Sequence, residues 1–260
     1  MSNFNELVAL VATLRSEGGC PWDRAQTHDT MVPYLIEEAY EVVDAIEGSS
    51  DAELAKELGD LLFQVLFHAQ LGAERDAFDI EAVSALIRDK MIERHPHVFG
   101  DGEAEEADPG SVGAWEARKA KERGDRSMMD GIPRQLPALL RAHRVGEKVS
   151  RVGFDWPSLD GVLAKVDEEL AELREAIASG KDEAIEHEYG DLLLATANLG
   201  RFVGVGGEEA LRHANDRFAQ RFRVVERLAR EAGVTLFDAD DATLEAMWAE
   251  AKRSESTDGV

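Results

Sequence analysis

Residues 187–200 read HEYGDLLLATANLG, and residues 56–72 read KELGDLLFQVLFHAQLG. Each stretch opens with two acids three residues apart, Glu188 with Asp191 and Glu57 with Asp60, and then runs on as an apolar segment too long for a buried strand. Acids three apart share one face of a helix. Working outward, each stretch is preceded by another acidic helix pattern. EEAYEVVDAI carries Glu37, Glu38 and Glu41, and EELAELREAI carries Glu168, Glu169 and Glu172. The offset is constant (168 − 37 = 131), so Glu37, Glu38, Glu41, Glu57 and Asp60 recur in register as Glu168, Glu169, Glu172, Glu188 and Asp191. With a shifted offset the match continues. DKMIER with Lys90 and Arg94 parallels DRFAQR with Arg217 and Arg221, and WEARK with Trp115 and Lys119 parallels WAEAK with Trp248 and Lys252.

The rest of the chain is also patterned as helix. Phe4, Leu7, Val8, Val11 and Leu14 recur at helical spacing, as do Leu163, Val166, Leu170, Leu173 and Ile177, and alternating strand patterns are lacking. Ser50 with Glu53 forms a capping-box signature ahead of AELAKELGDLLFQVLF. Breakers fall at EGGCPWD, EGSSD, HPHVFGDG, GIP, VGFDWPS, ASGKD and VGVGG. The expectation is an all-α chain of eight or nine helices in two tandem repeated domains. They span residues 1–123 and 132–255, with a linker at 124–131 in ERGDRSMMDGIP.

At 260 residues the chain is long enough for two small domains or one large one and can bury a sizeable core. The net charge of −24 argues against a nucleic-acid or anionic-membrane surface, but a bound cation and local basic residues can still hold a small phosphorylated ligand. No apolar run is long enough to span a bilayer, and the first residues lack a targeting pattern. The single cysteine, Cys20, can form no internal disulfide, which points to a reducing cytoplasm. Cys20 is expected as a small buried side chain, and His95 and His97 as loop contacts. Trp22 and Trp156, read as loop residues just before the acidic helices, are expected either to stack a base or to plug packing.

If each pair of acidic helices packs antiparallel, four carboxylates crowd one spot. At about 5 Å and an effective dielectric near 20, each like-charged pair costs roughly 3 kcal/mol. Such a cluster calls for protonation or a cation, and all-oxygen ligation suits Mg²⁺ or Mn²⁺. In a chain this acidic, one Glu-Glu-x-x-Glu is commonly a solvated helix face. Two observations favour a site. The acids border core segments, where an uncompensated charge is costly, and the second half repeats every one of them together with the basic and Trp–Lys pairs. The sequence has neither a Gly-x-x-x-x-Gly-Lys-Ser/Thr loop nor a Gly-x-Gly-x-x-Gly turn, so metal and Arg/Lys must hold any phosphates. A di-iron carboxylate bundle would need Glu-x-x-His, and none of the seven histidines has Glu three residues before it.

The tandem EExxE…ExxD pattern, with fifteen residues between Glu41 and Glu57, resembles the MazG-type nucleoside triphosphate pyrophosphohydrolases. So do CPWDRAQTHDTMVPYLIEEAYEVVDAI and RVGFDW, and the resemblance runs to about Lys252. It implies helical bundles of the all-α NTP pyrophosphatase type, a homodimer, and Mg²⁺-dependent hydrolysis of nucleoside triphosphates to monophosphate and pyrophosphate in clearing unwanted nucleotides. It implies Glu169, Glu172, Glu188 and Asp191 as metal ligands, Glu168 as water activator, and Arg217, Arg221, Trp248 and Lys252 on the nucleotide. The matching set in the first half is Glu38, Glu41, Glu57 and Asp60 for metal, Glu37 for water, and Lys90, Arg94, Trp115 and Lys119 for substrate. Arg217 stands where the family often has Lys, which keeps the charge and changes the donor geometry. The alternative is a helical nucleotide-binding or regulatory scaffold in which only one half is catalytic.

Overall fold

The computed structural model describes residues 2–48, 50–100 and 127–258, which form helices and connecting turns with no strand among them. The chain divides into two compact units, Met1–Ala120 and Lys121–Val260. Trp115, Lys119 and residues 124–126 of the expected linker lie outside the described residues.

In the N-terminal unit, α1 (Asn3–Arg15) and the short α2 (Pro21–Ala25) lead into α3 (His28–Gly48) and α4 (Asp51–Ala73), followed by α5 (Ile80–Arg94) and α6 (Pro96–Phe99). The capping signature is read correctly in part: Ser50 Oγ accepts from the Glu53 backbone N–H at 3.4 Å, and Asp51 and Glu53 place negative charge at the helix start. α3 and α4 pack side by side, with α1 against α4. Val11, Met31, Leu66, Phe67 and Leu71 form the core, with Leu7, Val8, Phe63 and Ile80 against it. Arg15 ties the edge of this core together. Its guanidinium makes two 2.7 Å bonds to the Glu74 carboxylate, lies 5.1 Å from the Phe67 ring centre and donates to the Asp23 and Gln26 carbonyls. That paired, donor-rich setting holds the Glu74 carboxyl below its ordinary pKa.

One polar chain sits on the seam between α3 and α4. Arg75 Nη2 lies 2.9 Å from His28 Nε2, and His28 Nδ1 lies 2.8 Å from His68 Nδ1. Arginine only donates, so His28 Nε2 accepts, His28 Nδ1–H donates, and His68 Nδ1 accepts. Below it, Gly72 packs so closely that a Cβ would stand 2.6 Å from the Phe78 carbonyl oxygen. Gly72→Ala must therefore shift backbone, and it is expected to destabilise the N-terminal unit by about 1–3 kcal/mol in denaturant titration. A neutral effect would show that this turn yields freely.

In the C-terminal unit, α7 (Ala138–Ser150) packs against α9 (Asp182–Phe202), which pairs closely with α8 (Leu159–Ser179), while α10 (Gly207–Ala232) packs with α11 (Asp241–Asp258). α8 and α10 stop at Gly180 and Gly233, both left-handed, which glycine adopts without the Cβ penalty. Asp155 and Arg201 form a paired contact at 2.6 and 2.8 Å beside Asn198 and Trp156. Residues 127–131 of the expected linker are tied to α7, because Lys148 Nζ donates to the Met128 and Asp130 carbonyls at 2.7 and 2.8 Å. No described helix is long and apolar enough to cross a membrane.

Candidate metal and nucleotide site

α4 folds back on α3, so that the acidic face of α3 meets that of α4. In the N-terminal unit Glu38, Glu57 and Asp60 each offer an oxygen within 4.8 Å of the others. Glu41 faces the same spot. Its carboxyl is held above the ordinary value by desolvation, then by the charges of Glu57, Glu38 and Glu37. In the C-terminal unit α9 folds back on α8 in the same way. Two overlapping trios form there, Glu168 with Glu169 and Glu172, and Glu169 with Glu188 and Asp191. Glu172 is raised by desolvation first and then by Glu169 and Glu188.

Two buried carboxylates stand out. Glu57 is 8% exposed and Glu169 is 4% exposed. Lys56 Nζ lies 2.8 Å from Glu57 Oε1, and Lys165 Nζ lies 2.5 Å from Glu169 Oε1 and 2.7 Å from Glu168 Oε1. Those bonds to Glu168 and Glu169 drive the Lys165 pKa well upward. The second oxygens, Glu57 Oε2 and Glu169 Oε2, are buried with no hydrogen-bond donor. An ionised oxygen without a partner in a low-dielectric seam is unfavourable, and a hard cation held by carboxylates would relieve it. The donor set thus fits a divalent ion bound by oxygen.

Helical spacing brings the acids together as read from the sequence, but Lys56, Lys165 and His187 were not singled out there. His187 Nε2 stands 3.4 Å from Asp191 Oδ2. The signal existed: Lys165 precedes Glu169 by four residues, and His187 precedes Asp191 by four. Glu37 and Glu168, the suggested water activators, are both exposed, and Glu168 is engaged by Lys165.

The basic set is assembled on the α10–α11 pair. Trp248 packs on Phe218 with ring centres 5.0 Å apart, and Lys252 Nζ lies 5.8 Å from the Trp248 ring centre. Arg217 is exposed and Arg221 half-buried on α10. In the N-terminal unit Lys90 is exposed and Arg94 half-buried on α5. Of the weaker signals, Trp22 lies within α2 rather than a loop and meets Tyr34 edge-on at 5.7 Å, and Trp156 meets Phe202 edge-on at 6.4 Å. Cys20 is half-buried rather than buried and stands at the N-cap of α2. His95 does make a local contact, its Nδ1 lying 2.7 Å from the Met91 carbonyl oxygen at the end of α5, while His97 lies in α6.

The MazG nucleotide pyrophosphohydrolase domain model matches twice, over residues 26–99 and 158–225, spans that contain all ten acids. The chain is 45% identical over 258 residues to the nucleoside triphosphate pyrophosphohydrolase/pyrophosphatase MazG of Thermotoga maritima, covering 98% of this chain and 97% of that protein. It is 44% identical over 264 residues to the nucleoside triphosphate pyrophosphohydrolase of Escherichia coli K12, covering 98% and 99%. A nucleoside triphosphate pyrophosphohydrolase of Mycolicibacterium smegmatis is 39% identical over 166 residues, covering 62% of this chain and 50% of that one. Two domain matches and full-length identity at this level, on a chain whose paired helices gather the repeated acids, place it in a family: the chain belongs to the MazG nucleotide pyrophosphohydrolases.

Proposed function

We propose that the chain hydrolyses nucleoside triphosphates to the monophosphate and pyrophosphate with Mg²⁺ or Mn²⁺, removing unwanted nucleotides in the cytoplasm. The observation that carries this reading is the buried, donorless carboxylate oxygen in each acidic cluster of a MazG-family chain, Glu57 Oε2 and Glu169 Oε2. The names of the long relatives support the reaction. Glu169, Glu172, Glu188 and Asp191 would hold the ion in the C-terminal unit, and Glu38, Glu41, Glu57 and Asp60 in the N-terminal one. A divalent ion there neutralises the triphosphate and makes phosphorus more electrophilic. Glu168 or Glu37 takes the proton of the attacking water, once Lys165 releases Glu168 in the C-terminal unit. Arg217, Arg221 and Lys252 hold the departing pyrophosphate, with Trp248 against the nucleoside, and Lys90, Arg94, Trp115 and Lys119 are the corresponding set. We assign the halves as domains 1–123 and 132–255, and a homodimer is supported by apolar side chains left exposed on the acidic helices, among them Tyr40, Leu58 and Leu62, and Leu163, Tyr189 and Leu193.

Hydrolysis in ¹⁸O-water tests the bond cleaved. Label is expected in the nucleoside monophosphate, the result of attack at the α-phosphorus. Label in pyrophosphate would mean attack at the β-phosphorus. Orthophosphate and nucleoside diphosphate as first products would exclude the assignment.

A second reading, in which only one half turns over and the other binds or regulates, is favoured by one difference between the units. Where the N-terminal unit has His28, His68 and Arg75, the C-terminal unit has Leu159, Leu199 and Gly206 at the matching positions. A panel of nucleoside triphosphates, with the products identified, should therefore be assayed on variants of each half.

A further inference from the structure

The two acidic centres are equivalent in sequence and different in burial. In the C-terminal unit the buried carboxylate is Glu169, on the first acidic helix; in the N-terminal unit it is Glu57, on the second. Their positional counterparts, Glu38 and Glu188, are only half-buried. The lysines are exchanged in the same sense. At the position of Lys165 the N-terminal unit has Tyr34, and at the position of Lys56 the C-terminal unit has His187. Each lysine takes one oxygen of its buried carboxylate, and each leaves the other oxygen without a donor.

We propose that the two units anchor the divalent ion through non-equivalent carboxylates, Glu169 in the C-terminal unit and Glu57 in the N-terminal unit, each oriented by its own lysine. The inference rests on the metal reading above. A carboxylate fixed through one oxygen presents the other in a set direction, which is how outer contacts pre-organise a metal ligand. A half-buried counterpart keeps access to water and pays less for remaining empty, so it is the adaptable member of the set. The grip also differs in strength. Lys165 bridges two carboxylates and its side chain is 34% exposed, whereas Lys56 holds one carboxylate and is 65% exposed. Glu169 is therefore the more rigid anchor.

Mn²⁺ binding to the full chain, read from the electron paramagnetic resonance of the free ion, separates this from sequence equivalence. One unit is read at a time, with the other silenced by Glu41→Ala/Asp60→Ala or by Glu172→Ala/Asp191→Ala. Glu169→Gln is expected to weaken binding at least about tenfold more than Glu188→Gln, and Glu57→Gln at least about tenfold more than Glu38→Gln. The amide is isosteric and its oxygen can still accept from the same lysine, so the metal-free fold is expected to be retained, which a thermal melt of each variant verifies. The proposal is overturned if Glu38 matters as Glu169 does and Glu57 as little as Glu188, or if all four losses are equal. Absence of Mn²⁺ binding to the unsubstituted chain would instead remove the metal reading itself, and the anchor assignment with it.

Discussion

With turnover carried by the C-terminal half, Glu172→Ala is expected to lower the rate of pyrophosphate release roughly 100-fold or more, with the fold intact. Glu172 lies on α8 facing Glu169 and Glu188, and their charges together with desolvation already strain its ionised form. On the proposed metal reading, its loss would remove an oxygen ligand and one unit of the negative charge that balances the ion. Alanine is the best helix former, and Glu172 is exposed at the edge of the seam, so α8 survives the change. Circular dichroism and steady-state turnover on the same preparation check both statements. Glu41→Ala is the matched change in the N-terminal unit, where Glu41 faces Glu57, Glu38 and Glu37. Full activity in Glu172→Ala combined with loss in Glu41→Ala would move catalysis to the N-terminal half. Full activity in both would leave the acids as a solvated face.

Removing divalent cations should abolish turnover and lower thermal stability. Without an ion, Glu57 Oε2 and Glu169 Oε2 remain buried without donors and the neighbouring acids repel. A ligand that binds only the folded state stabilises it by about 2.7 kcal/mol at a hundred times its dissociation constant. Calorimetric scans with excess chelator and with saturating Mg²⁺ should differ by several degrees, and the gain should vanish in Glu169→Gln/Glu57→Gln. Undiminished hydrolysis after exhaustive chelation would exclude the metal site.

Much of this architecture was legible because helical spacing is a local property. Acids at three- and four-residue separations must share a face, and the offset repeat showed that the arrangement occurs twice. The capping serine ahead of α4 was visible for the same reason. What could not be read was burial. Whether Glu57 or Glu38 sits inside depends on how α3 rotates against α4, and a rotation of one helix in its seat leaves the sequence pattern unchanged. The lysine exchange itself stands in the sequence, where Tyr34 answers Lys165 and His187 answers Lys56, but which carboxylate each lysine orients depends on that packing. Pro21 beside Trp22 reads as a breaker in the sequence, yet proline is at home in the first turn of a helix, where its missing N–H costs nothing.

The His28–His68–Arg75 chain makes the N-terminal unit a proton-sensitive body. A hydrogen bond between two imidazoles, with an arginine donating to the far end, requires both rings to be neutral. Burial, and then the neighbouring His28, push the His68 pKa down. A histidine whose folded pKa lies below its unfolded value stabilises the fold fully above the unfolded value, near 6.5, and that contribution is lost as the pH falls below it. Acidification is therefore expected to loosen the His28 end of α3, which leads into the acidic helix pair. Leu159 and Leu199, at the same positions in the other half, have no charge to gain.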